Sequence, residues 1–296
     1  MADEMLKNAR PQELESQIGE EDGLKEQLLR MCRQNKLAAF SAVLILVVIL
    51  IAIFAPVLAP YGEAEQDLIS RLQGPSAAHW FGTDELGRDV FSRILYGSRL
   101  SLTIGILPSI ISLVVGIFFG LLAGYFGGWV DRGIQCLVAV FQGLPGMSLM
   151  IAVAAILPEN NFRLIIALTL TSWAGFSRIV RSEVIRIRGE LYMESIKSLG
   201  ASHGYIVRKY VLPNVLPVVI VLLTLRIGTS LLSASALSYL GLGVSPPTAD
   251  WGVMISDART YFRSYPLMMI APGTGITLFC LSINLLGDAM RERIRK

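Results

Sequence analysis

Acidic residues are missing from every long apolar stretch of this chain, and histidine and cysteine are scarce throughout. The three cysteines, Cys32, Cys136 and Cys280, are odd in number, far apart and at no metal-ligand spacing. That pattern excludes a disulfide framework or a zinc site and leaves them as small hydrophobic residues. The only histidines, His79 and His203, fall in separate loops and read as solvated side chains. There is no Gly-x4-Gly-Lys-Ser/Thr phosphate loop and no His-Glu-x-x-His pair, so no catalytic residue and no metal ligand is assigned. Gly241 and Gly243 end an apolar run and follow no strand, which makes them helix terminators and not a nucleotide turn. No nucleic-acid partner is expected. Charge is also short, at 17% of residues against about a quarter in a soluble domain.

What is present is apolar length. About 20 apolar residues cross a bilayer, and six segments qualify: Leu37–Ala59, Leu100–Val130, Gly133–Leu157, Leu164–Val180, Val211–Leu242 and Pro266–Gly287. The fourth is short and bounded by Arg163 and Arg178, which can snorkel to opposite interfaces. The expectation is an all-α membrane protein of six transmembrane helices, with the permease domain over residues 37–290 and a tail at 291–296.

Basic residues give the orientation. With the N-terminus inside, residues 1–36, Arg132, residues 178–209 and 289–296 carry 18 of the 26 Lys and Arg, the outer loops carry seven, and Arg226 lies within the fifth span. The excess places both termini in the cytosol. Residues 1–36 are polar and show no secretory signal. Leu24, Leu28, Met31 and Cys32 share a helical face, consistent with an amphipathic helix lying on the lipid bilayer; a mostly disordered tail fits equally.

Two outer segments look structured. In Thr83–Gly97 the apolar residues share one face and Arg88, Asp89 and Arg93 oppose them, which predicts an interfacial helix capped by Thr83 or Asp84. Asp250 caps a second helix carrying Trp251, Met254, Ile255 and Ala258. Trp80 and Trp251 suit the interface. Gly116, Gly120 and Gly124 recur every fourth residue and predict a close helix-packing seam.

The cytosolic segment 178–213 is too long for a turn. Leu191–Leu199 and His203–Val211 read as two helices broken at Gly200, with Pro213 marking the return to the bilayer. Such a docked hairpin can transmit movement from a cytosolic partner. Glu194-Ser195-Ile196, Gly200 and Leu212-Pro213 resemble the EAA loop of ABC importer permeases, with Ser195, Ile196 and Tyr210 departing from its pattern. The stretch from Phe81 through Gly82, Thr83, Asp84, Gly87, Arg88 and Asp89 to Arg93 is similar to the C-type subunit of peptide/nickel importer permeases. So are Leu240–Pro247 with Trp251-Gly252, and Asn284–Asp288.

The resemblance implies a type I ABC importer fold and a heterodimer with a related B-type permease. It also implies two cytosolic ABC ATPase subunits, which would hold ATP and Mg, and an extracytoplasmic substrate-binding protein; this chain binds no cofactor itself. Glu194, Ser195, Gly200, Ala201, Leu212 and Pro213 would then couple to an ATPase. Relatives often carry a basic and an acidic residue early in the third span, where Cys136 and Ala139 stand, and a Glu near the end of the fifth, where Ser233-Ala234-Ser235 stands.

For the path itself, Arg226 is a charge inside a span and needs a reason. It either faces the translocation path and attracts a peptide carboxylate, or pairs within the assembly. Gln142, Pro145 and Met147 form a polar, kinked stretch that could border the path or pack in the core. Short peptides lead as cargo, with nickel or a nickel chelate and glutathione-like peptides as alternatives. A self-contained secondary transporter is the reading of another class, weakened by the absence of intramembrane acids and internal repeats. A membrane anchor for a signalling complex would not need the hairpin.

Overall fold

The computed structural model describes residues 35–160 and 162–294. The expected amphipathic segment around Leu24–Cys32 lies outside the described residues. α1 (Lys36–Leu58) is capped by Asn35, whose Oδ1 accepts the amides of Leu37 and Ala38 at 3.0 and 3.3 Å. At about 1.5 Å per residue its 23 residues cover the hydrocarbon core.

α2 (Val90–Phe126) is 37 residues long. It fuses the second expected span to part of the outer helix expected from Thr83. Residues 83–89 are not helical, because Gly87 adopts φ 72° and Thr83 pairs back on Asp89 as an isolated bridge. Asp89, not Thr83 or Asp84, is the cap: its Oδ2 accepts the Ser92 amide at 2.7 Å.

The third span is also not one helix. α3 (Gly128–Gly143) and α4 (Gly146–Ile156) meet at 88° across Leu144-Pro145, where the proline supplies no amide to continue the ladder. α5 (Phe162–Arg188) runs past Arg178 to end eight residues beyond the expected Val180. α6 (Leu191–Ser198) is the short hairpin helix, and α7 (His203–Leu242) runs from the hairpin through the fifth span, continuous as far as Leu240, after which Gly241 at φ 84° breaks it, as expected of a helix terminator. α8 (Trp251–Ala258) and α9 (Leu267–Ile294) are the last two helices of the described residues. Among the described residues, five helices are individually long and apolar enough to cross a membrane, and the count is six if the bent α3–α4 pair is one span.

The glycine stripe is a packing seam between α2 and α5. A Cβ at Gly120 or Gly124 would stand 2.6 or 2.7 Å from the Cβ of Val180 or Val184, so only glycine permits this approach. The start of α1 packs on the end of α9 through Ala38 and Ala289, which puts both on one end of the bundle. The hairpin packs at that end, and the 61–89 loop and α8 form a platform at the other. Trp251, expected at an interface, is instead buried under the platform, its Nε1 donating to the Ile94 carbonyl at 3.0 Å; Trp80 is exposed.

Candidate coupling and translocation sites

The hairpin is built by burying one face of each of its helices. Met193, Ile206 and Val211 are fully buried against Val184 and Ile187 of α5 and Tyr125 of α2. The opposite face is open: Leu191 and Leu199 are 84% and 86% exposed, with Glu194 and Ser195 exposed between them and Gly200 exposed just beyond. Gly200 takes φ 81°, and its amide donates to the Lys197 carbonyl at 2.9 Å while that of Ala201 reaches back to Ile196 at 3.4 Å. This left-handed closure ends α6 at little cost only because position 200 has no Cβ. Ser202 then caps α7 by accepting the Tyr205 amide at 3.4 Å.

Pro213 does not open a separate helix, as the sequence suggests, but sits inside a continuous one. The backbone widens to a π turn over Val207–Val211, so that the Leu212 amide donates to Val207. The Asn214 side chain donates to the Tyr210 carbonyl at 2.6 Å. A proline is accommodated because the preceding turn has been re-registered.

His203 is not a purely solvated residue. Its Nδ1 lies 2.9 Å from the Tyr125 hydroxyl, with the rings of Tyr125 and Phe126 alongside, tying the hairpin to the end of α2. Nearby, Arg181 forks onto Asp131 with bonds of 2.5 and 2.6 Å, clamping α5 to the start of α3. Neither contact was visible in the sequence, since both join residues at least 50 positions apart; the one local hint is an acid in α3's first turn.

At the platform end the motif residues come together as a buried ion network. Arg88, Asp89 and Arg93, expected on a solvated face, are 3%, 3% and 2% exposed. Asp84 accepts the amides of Leu86 and Arg88 through Oδ1, both at 2.9 Å, and the Arg88 Nε through Oδ2 at 2.6 Å. Arg88 also reaches Glu85 at 3.1 Å and Asp257 of α8 at 4.0 Å, and Arg93 lies 3.5 Å from Asp84. His79 is likewise not free: its Nδ1 stands 2.9 Å from Asp89. Burial pushes the Glu85 and Asp257 carboxyls up, with neighbouring acids adding to it and Arg88 opposing.

Local turns make this possible. Gly82 and Gly87 take φ 78° and 72°, and Thr83 Oγ1 accepts the Gln73 amide at 2.9 Å and donates to the Ser70 carbonyl. Asp250 accepts the amides of Gly252 and Val253 and the Ser101 hydroxyl at 2.7 Å, locking α8 to α2. A Cβ at Gly252 would stand 2.7 Å from Ser238 of α7. The motif is a structural platform.

The path residues are not all brought together. Gln142, Pro145 and Met147 lie exposed at the α3–α4 bend. Arg226 instead borders a cavity of about 230 Å³ between α5 and α7, walled by Ser172, Gly175, Phe176, Leu222 and Thr229 and by none of those three. On the α5 side the wall is Ser172, Gly175, Phe176 and Ile179, one helical face at i, i+3, i+4 and i+7 spacing but without a charge to mark it in the sequence.

Comparison with known proteins fits this architecture. Residues 116–296 match the family described as binding-protein-dependent transport system inner membrane component, and residues 26–75 match the N-terminal TM domain of oligopeptide transport permease C. The chain is 42% identical over 265 residues to the dipeptide transport system permease protein DppC of Alkalihalophilus pseudofirmus, covering 90% of this chain and 87% of that one. It is 35% identical to the oligopeptide transport system permease protein OppC of Bacillus subtilis, covering 91% and 88%. It is 40% identical to the glutathione transport system permease protein GsiD of Escherichia coli, covering 90% and 88%.

Among solved structures, an inward-facing form of the MetNI methionine ABC transporter aligns with TM-score 0.57 at 18% identity, covering 70% of this chain and 98% of that one. An amino acid ABC transporter aligns at 0.53 and 17%, covering 69% and 94%. At such identity these two speak to the fold alone: that of an ABC importer permease. A multi-pass helical bundle, a docked hairpin broken at Gly200 and these relatives converge, and the chain belongs to the family of binding-protein-dependent inner-membrane transport components, as a C-type permease subunit of an ABC importer.

Proposed function

We propose that this chain forms half of the translocation pathway of an ATP-driven importer of short peptides, with the hairpin end in the cytosol. Its partners are a homologous B-type permease, two cytosolic ABC ATPases that hold ATP and Mg, and an extracytoplasmic binding protein. The orientation is supported by the excess of Lys and Arg at the hairpin end. The peptide assignment is supported by the dipeptide, oligopeptide and glutathione systems named among its relatives.

One observation carries the coupling role: α6 buries Met193 completely while presenting Leu191, Glu194, Ser195 and Leu199 outward. A helix braced on two membrane helices and open on its other face is a handle. A protein that grips it in one nucleotide state and displaces it in another moves α5 and α7 with it, because Met193, Ile206 and Val211 share their cluster. A ligand shifts such an equilibrium only by its differential binding to the two states, so the driving difference must come from the ATPases. Glu194, Ser195, Gly200, Ala201, Leu212 and Pro213 are the residues assigned to this coupling. Glu194→Lys, in proteoliposomes holding the complete transporter, is expected to abolish ATP-dependent peptide uptake while the chain still inserts. Undiminished uptake would contradict the reading.

A further inference from the structure

Arg226 stands 14 residues after Leu212 and 11 before Leu237 within one helix, roughly 21 and 16 Å from those positions at 1.5 Å per residue. It therefore lies near the middle of a hydrocarbon core about 30 Å thick, out of reach of either interface by snorkelling. A charge at that depth persists where it meets water or an opposite charge. Among the described residues no carboxylate or hydrogen-bond acceptor holds its guanidinium. The group borders a cavity of about 230 Å³, room for several waters or for the terminal residue of a peptide. Ser172 and Thr229 bring hydroxyls to the wall, Gly175 keeps it open, and Phe176 and Leu222 supply apolar surface. That combination, a forked cation beside hydroxyls and a short apolar floor, is the chemistry that recognises a carboxylate on an aliphatic stem.

We propose that Arg226 is a cargo-recognition residue of the pathway, holding the C-terminal carboxylate of a short peptide between α5 and α7 at mid-membrane. This rests on the peptide-import reading and adds the atom of the cargo that the permease itself reads. The test uses the assembled transporter in nanodiscs without its binding protein, with trialanine and trialanine amide as probes and saturation-transfer NMR as the readout. Wild type is expected to bind trialanine and to bind the amide far more weakly. Arg226→Gln is expected to weaken trialanine binding roughly tenfold or more, the loss typical of a charge-assisted contact, and Arg226→Lys to keep part of it.

The proposal is overturned if wild type binds no trialanine, if acid and amide bind alike, or if Arg226→Gln binds trialanine as wild type does. It is also overturned if Arg226→Gln, but not Arg226→Lys, loses the homologous permease during purification, because the charge then belongs to a subunit contact. Failure of the underlying reading shows elsewhere, as a wild-type complex with no ATP-dependent uptake of any peptide.

Discussion

The two ends of the bundle solve opposite problems with opposite materials. At the platform end the charged residues are buried and satisfy one another: Arg88, Asp89 and Arg93 are almost fully enclosed, and the backbone turns through Gly82 and Gly87 to bring Asp84 onto both arginines. At the hairpin end Met193, Ile206 and Val211 bury one apolar face, while the other, with Leu191, Glu194, Ser195 and Leu199, is open. A buried ion network tolerates little displacement, because separating one pair leaves a charge without solvent or partner. An apolar face sliding on another helix loses only contact area, and a π turn over Val207–Val211 sits where such a movement would be taken up. Under the proposed coupling role, the platform end stays fixed and the hairpin end moves.

The contrast predicts where single substitutions hurt the fold. The largest loss is expected for Arg88→Ala, which leaves buried Asp84 with Arg93 alone and takes the paired cation from half-buried Glu85; about 3–5 kcal/mol of stability should go, read as a lowered Tm in detergent or as lost membrane-inserted protein. Equal damage from removing any exposed hairpin charge would break the comparison. Next comes Gly120→Val, which drives a branched side chain into Val180 across the α2–α5 seam. Overpacking of this kind should cost about 1–3 kcal/mol. Tyr125→Phe keeps the ring and removes only the hydroxyl beside His203, so roughly 1 kcal/mol is at stake. Its more telling readout is the ATP hydrolysed per peptide imported, which should rise as the hairpin loosens from α2.

The pH response sharpens the same contrast and is smaller. Glu85 and Asp257 have their carboxyl pKa values raised in the folded chain, so the folded state binds protons that the unfolded chain releases. Their contribution is fully present below the ordinary carboxylate range and is lost as pH rises through the raised values. Asp67, held low by the Ser70 hydroxyl and the Ile69 amide, acts in the opposite sense, losing its contribution as pH falls. The Tm of wild type should therefore decline from mildly acid toward neutral pH, and Glu85→Gln with Asp257→Asn should flatten that decline. A Tm that rises over the same interval in wild type and double variant alike would contradict the burial of the pair.

The spans were legible because hydropathy over 20 residues is a strong signal, and the hairpin because Gly200 breaks it; Pro213 marks no boundary, since α7 runs through it. The platform was not. Read as a helix, residues 83–97 put Arg88, Asp89 and Arg93 on a wet face. Gly87 instead turns the chain at positive φ, and the same residues are folded inward. A periodicity argument assumes a continuous helix and fails where one glycine interrupts it. Trp251 and the two histidines were misjudged for another reason: their partners Ile94, Asp89 and Tyr125 come from other elements or turns, and composition does not register tertiary partners. The bend at Pro145 was foreseen as a kink and proved to be an 88° break. Arg226 was singled out by cost alone; its cavity needed the fold.

The proposed coupling depends on which side of the membrane the hairpin occupies. Ser198→Cys, in a chain whose native cysteines are replaced by serine, places a thiol on the exposed face of α6, and Ala77→Cys places one in the platform loop. In spheroplasts treated with a membrane-impermeant maleimide, Cys at position 77 should label at once and Cys at 198 only after the membrane is opened. The reverse pattern would place the handle outside the cell, beyond the reach of any ATPase.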